Sequence, residues 1–122
     1  MIRPTFLITR EVAPGGLACA VKRLRPADID RADLALRLDN ERQVLTLLAG
    51  VPGVIRLLGV RSPPLSLLLE WCDGGSLDDR LRVTSVTATQ WRQFARELVE
   101  VVAGCHRLGV THRDIKPSNL LF

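Results

Sequence analysis

The sequence predicts an α+β fold: a small antiparallel β-sheet lobe carrying one helix, then the start of a helical lobe. Three observations lead there. Short apolar runs separated by Gly and Pro clusters fill much of the first seventy residues. A helical repeat of leucines interrupts them after Asp33, and a second, longer helical repeat dominates the last third.

The elements follow in order. Thr5–Glu11 and Leu17–Leu24 read as strands, and Pro14-Gly15-Gly16 between them supplies the turn of a hairpin. Asp33–Ala49 reads as a helix ended by Gly50 and Pro52. Val54–Val60 and Leu65–Trp71 have strand length, with Pro63-Pro64 as the turn. Gly74-Gly75 breaks the chain, and Ser76 can cap a short helix running through Arg82. Trp91, Phe94, Ala95, Leu98, Val101, Val102, Cys105 and Leu108 then recur at helical spacing. Thr87 with Gln90 forms a capping box before that helix, and Gly109 ends it. Residues 1–72 form the first part of this arrangement and 73–122 the second.

A length of 122 residues allows one domain with a real core. The net charge of +4 is spread along the chain, which favours a solvated surface over a nucleic-acid face. Leu65–Leu69 is too short to cross a bilayer, and the N-terminus has no secretory signal. Three scattered cysteines, Cys19, Cys72 and Cys105, have no metal-ligand spacing and suit a reducing, cytoplasmic setting.

Two features carry chemistry. On the first helix, Leu34, Leu38, Leu45 and Leu48 share a face, and Glu41 falls midway along it. A carboxylate there costs free energy unless it is paired. Strand alternation puts Ala18, Ala20, Lys22 and Leu24 on one side, with Lys22 the single charge, so Lys22 and Glu41 are expected to pair. Each has an ordinary reading alone: a snorkelling strand-end lysine and a glutamate at the edge of the stripe. The second feature is Thr111–Leu121. Asp114, Lys116 and Asn119 stand at offsets that fit phosphoryl transfer. The acid can accept a hydroxyl proton, the amine can offset phosphate charge, and the amide oxygen can hold a metal. The plainer alternative, a polar turn after a helix, explains the polarity but not the offsets.

His112-Arg113-Asp114-Ile115-Lys116-Pro117-Ser118-Asn119 closely resembles the catalytic loop of protein kinases. Cys19-Ala20-Val21-Lys22 resembles the Val-Ala-Ile-Lys strand of that family, and Glu41 the helix glutamate that pairs with its lysine. Leu67–Leu77 resembles the hinge. The resemblance implies ATP and Mg2+ as cofactors and a protein substrate with serine or threonine, since Lys116-Pro117 looks like the serine/threonine branch. It implies catalytic roles for Asp114, Lys116 and Asn119, with Asn119 on the metal and His112 bracing the loop. It implies nucleotide contacts at Ala20, Lys22, Glu41, Leu69, Glu70, Cys72, Ser76 and Leu121, with Asp78 near the ribose. Two lobes with the site between them are expected.

The resemblance extends from about Phe6 to Phe122 and covers the N-terminal half of a kinase domain. The glycine-rich loop and everything after the catalytic loop are missing from the sequence. That implies a truncated serine/threonine kinase domain, inactive as an isolated chain. The Trp91–Leu108 stripe is expected to lack cover. Burying a large apolar side chain is worth roughly 1.5–3 kcal/mol, so the expectation is poor stability, association through this face, or cover by a protein partner or a missing C-lobe. The rival reading is a non-catalytic, pseudokinase-like binding or regulatory module. A small-molecule phosphotransferase fits less well, because Arg113 and Lys116-Pro117 depart from the usual pattern of such enzymes.

Overall fold

The computed structural model describes residues 5–112 and 115–122. Four strands, β1 (Phe6–Val12), β2 (Ala18–Leu24), β3 (Leu57–Arg61) and β4 (Ser66–Glu70), form one sheet in the order β1-β2-β4-β3. Every pairing is antiparallel. Three helices accompany it: α1 (Ala32–Leu47), α2 (Leu77–Val83) and α3 (Ala88–Arg107). Short 3-10 turns stand at Pro26–Asp28 and Pro117–Asn119.

The β1–β2 hairpin closes as its turn residues require. Ala13 N donates to Leu17 O at 2.7 Å, and Gly16 N to Ala13 O at 3.0 Å. Gly15 and Gly16 adopt φ of 95° and 85°, a region side chains disfavour, which is why glycines stand there. The resulting register sets Ile8 opposite Lys22 and Lys22 opposite Leu67, so their side chains share one face of the sheet.

β2 lies inside the sheet, between β1 and β4. Cys19, Ala20 and Val21 are consecutive and all buried, so mid-β2 is covered on both faces and the in–out alternation expected for it is lost there. Helix α1 packs on β2, β3 and β4. Its buried residues are Leu34, Leu38 and Leu45, continued by Leu48, the face its leucine spacing defines. Leu38 of α1 and Leu67 of β4 are both fully buried.

The chain divides into two compact units. The first comprises residues up to Ala49 and Ile55–Trp71; the second comprises Gly50–Val54 and Cys72–Phe122. The polypeptide therefore passes between them at 49/50, 54/55 and 71/72. The short 50–54 segment is why β3 starts at Leu57 and not at Val54. Val54 N bonds back to Val51 O at 3.3 Å, and Gly53 has φ of 86°. These residues lie on α3. A Cβ built on Gly53 would overlap Val101, and one on Gly104 would come within 2.7 Å of Val51 Cγ1.

Both later helices start as their capping residues predict. Thr87 Oγ1 accepts from Gln90 N while Gln90 Oε1 accepts from Thr87 N. Ser76 and Asp79 form the equivalent box on α2. The α3 stripe is covered in part. Cys105 is buried and Phe94 stands 5.0 Å from the Phe122 ring, but Trp91 and Leu108 each remain 44% exposed. No helix among the described residues is long and apolar enough to cross a membrane.

Candidate functional site

Within the first unit, Lys22 projects from β2 toward α1. Its Nζ donates to Glu41 Oε2 at 2.7 Å, the ion pair expected from an isolated charge within an apolar stripe. The two side chains are 19% and 31% exposed. That partial shielding strengthens the attraction while leaving the ammonium reachable by a ligand. An ammonium has three N–H donors, so the contact with one carboxylate oxygen does not exhaust it.

Ala20 and Leu69 face each other across the β2–β4 pairing, both buried, on the same side of the sheet as Lys22. The Glu70 side chain is engaged within the sheet. Its carboxylate accepts from Arg56 N at 2.9 Å, and the Glu70 N–H donates to Arg56 O at 3.0 Å. This clasp ties the approach to β3 onto β4. The role inferred for Glu70 by resemblance belongs to its backbone carbonyl, which leaves the side chain for this clasp.

The second unit holds Cys72, Ser76, Lys116, Asn119 and Leu121. Ser76 Oγ donates to Asp79 Oδ2 at 2.8 Å and accepts from Asp79 N at 3.1 Å. A hydroxyl has one hydrogen and two lone pairs, so what remains on Ser76 is one acceptor position. Donation from the Ser76 backbone and hydroxyl holds the Asp79 carboxyl below the usual carboxylate range. Ser76 also bridges Leu121. Around it, Gly74 N donates to Phe122 O at 2.7 Å, Phe122 N to Gly75 O at 3.0 Å, and Leu77 N to Leu120 O at 2.8 Å. Arg80 adds its guanidinium 3.9 Å from the Phe122 ring centroid. Residues 120–122 are thus strapped to the start of α2.

Lys116 and Asn119 lie on the exposed turn just before that strap, closed by Asn119 N donating to Lys116 O at 2.9 Å. Arg113 and Asp114 lie outside the described residues. The structure therefore gathers Ala20, Lys22, Glu41 and Leu69 in one unit and Ser76 with Leu121 in the other.

Sequence reasoning missed two residues beside the lysine. The Phe6 ring centroid is 5.0 Å from Lys22 Nζ, and the Arg37 guanidinium is 5.7 Å from the same ring. Signals for both exist in the sequence. A tight turn fixing the β1–β2 register puts Phe6 on the face of Lys22, and Arg37 stands one helical turn before Glu41.

A strand lysine paired with a helix glutamate, on a small antiparallel sheet, defines a lobe able to hold an anionic group. The protein kinase domain family model matches residues 12–122. The chain belongs to that family. It is 37% identical over 123 residues to calcium-dependent protein kinase 27 of Oryza sativa subsp. japonica, covering 97% of this chain and 19% of the relative. Calcium-dependent protein kinase 1 of Arabidopsis thaliana is 37% identical over 123 residues, covering 97% and 20%. Calcium-dependent protein kinase SK5 of Glycine max is 36% identical over 123 residues, covering 97% and 23%. The chain thus spans about a fifth of the length of these relatives.

Proposed function

We propose that this chain contributes the nucleotide-holding and hydroxyl-activating residues of a serine/threonine protein kinase, which moves the γ-phosphoryl group of ATP to a protein hydroxyl. The observation that carries this reading is the 2.7 Å Lys22–Glu41 ion pair. Glu41 fixes the ammonium, and the ammonium's remaining donors grip phosphate oxygens. Ala20 and Leu69 give the purine a small, apolar surface, and the kinase resemblance assigns Leu121 a purine contact as well. Backbone groups of Glu70 and Cys72 read the purine edge, and Ser76 offers its last lone pair to a ribose hydroxyl.

Asp114 orients the substrate hydroxyl and takes its proton, while Lys116 offsets charge on the moving phosphoryl group. Magnesium takes oxygen ligands, and Asn119, on the exposed turn, carries an amide oxygen of the kind that fits one position of its shell. When bound, the ion neutralises phosphate charge. Buried thiols at Cys19 and Cys105 agree with a reducing, cytoplasmic setting.

The test is calorimetric titration of the chain with Mg·ATP, alongside Lys22→Met. The reading expects the variant to lose affinity at least tenfold. Equal affinity of the two proteins overturns it. Asp114→Asn in the whole protein that carries this segment is expected to abolish transfer to a peptide hydroxyl, and undiminished turnover removes Asp114 from the role of base.

A further inference from the structure

Glu41 has two candidate cations by position, Lys22 across the sheet and Arg37 on its own helix, and the structure shows it holding Lys22. Arg37 precedes Glu41 by four residues on α1, a spacing at which side chains on a helix meet. A guanidinium binds carboxylates through a rigid fork of donors and is the stronger natural partner of the two. Nevertheless Glu41 pairs with Lys22, and among the described residues Arg37 forms no ion pair. The Arg37 guanidinium rests instead 5.7 Å from the Phe6 ring, and Lys22 Nζ lies 5.0 Å from that ring. One aromatic ring on β1 thus serves two cations, one from the sheet and one from the helix.

We propose that Phe6 is a positioning residue: its ring holds Arg37 away from Glu41 and so reserves the carboxylate for Lys22. Cation–π attraction gives the guanidinium an alternative to the carboxylate. The helical Arg37–Glu41 contact it displaces has the weaker polarity, since the acid is better placed N-terminal to the base. Removing the ring frees Arg37 to compete for Glu41, four residues along α1, while Asp33 on its other side is already held by Arg31; Lys22 then loses the contact that aims it. The inference rests on the nucleotide reading above for its functional consequence but not for the pairing itself.

The decisive measurement is the coupling between Lys22 and Glu41, from a Lys22→Met and Glu41→Gln double-mutant cycle read by urea unfolding. Run on a Phe6→Leu background, which keeps apolar volume and removes the ring, the cycle is expected to lose most of its coupling. Adding Arg37→Gln to that background is expected to restore it. Unchanged coupling on Phe6→Leu overturns the proposal. Coupling that stays lost after Arg37→Gln is added also overturns it, because the ring then acts on Lys22 alone. Should Phe6→Leu fail to fold, Arg37→Gln in the otherwise unaltered chain keeps the test open: coupling is expected to hold or rise, and a fall refutes the competition. In parallel, Phe6→Leu is expected to weaken Mg·ATP binding by about two- to fivefold, with recovery on adding Arg37→Gln. If Lys22→Met leaves ATP affinity intact, the nucleotide reading fails, while the unfolding cycles still decide the role of Phe6.

Discussion

Helix α1 offers a controlled comparison within two residues. Leu38 is fully buried, whereas Leu36 is 61% exposed on the same helix. Leu38→Ala removes three carbons from a closed space. Their transfer is worth about 0.8 kcal/mol each, or about 2.4 kcal/mol together. The void left behind adds to this, and measured Leu→Ala losses in cores run about 2.7–5 kcal/mol. A loss of about 3–4 kcal/mol is therefore expected. For a slope of about 1–3 kcal/mol per molar urea, the unfolding midpoint falls by roughly one to four molar. Leu36→Ala keeps a strong helix former and removes surface that water already touches, so a change within about 0.5 kcal/mol is expected. Urea denaturation followed by far-UV circular dichroism measures both. Equal losses in the two variants, or a Leu38→Ala loss under about 1 kcal/mol, would refute the packing of α1 on the sheet that brings Glu41 to Lys22.

Three further outcomes follow from the second unit and the exposed acids. Gly53→Ala places a methyl group against Val101 at φ of 86°, and the combined strain should destabilise by about 2–4 kcal/mol; pairing it with Val101→Ala should recover the overlap portion alone, checked by the same unfolding assay. Ser76→Ala removes the N-terminal cap of α2 and should cost about 0.5–2 kcal/mol, with faster amide exchange at Asp79 as the local readout. Hydrogen bonds from Arg31 pull the Asp33 carboxyl from 3.8 to about 2, and those from Ser76 lower that of Asp79. A depressed folded value stabilises the protein above the unfolded value and loses that contribution as pH falls. Stability should therefore decline from near pH 3.8 toward about 2, and an Asp33 carboxyl titrating by NMR at 3.8 or above contradicts the Arg31 contact.

The parts legible in the sequence were those governed by neighbours along the chain. Thr87 with Gln90 marks a helix start because both capping bonds span three residues. Pro14-Gly15-Gly16 marks a hairpin because its glycines must take positive φ. Lys22–Glu41 was legible for another reason: a charge amid leucines needs a partner, and one strand offered it. What escaped depends on distant residues. Nothing local in Gly50–Val54 shows that Val51 and Gly53 meet Gly104 and Val101, some fifty positions later. The order β1-β2-β4-β3 is likewise set by packing, as is the meeting of Phe6 with Arg37. Asp114, the acid named first in the candidate catalytic loop, lies outside the described residues.

The route of the polypeptide limits how the molecule can be dissected. Because Gly50–Val54 joins the second unit from within the first, a single scission after Trp71 releases neither in finished form. The downstream piece would forfeit Val51 and Gly53, which meet α3 at Gly104 and Val101, leaving that part of the helix open to solvent. The upstream piece would carry Gly50–Val54 as a loop stripped of its seat. An experimenter wanting either half alone would have to transplant that pentapeptide, not trim at the obvious glycines.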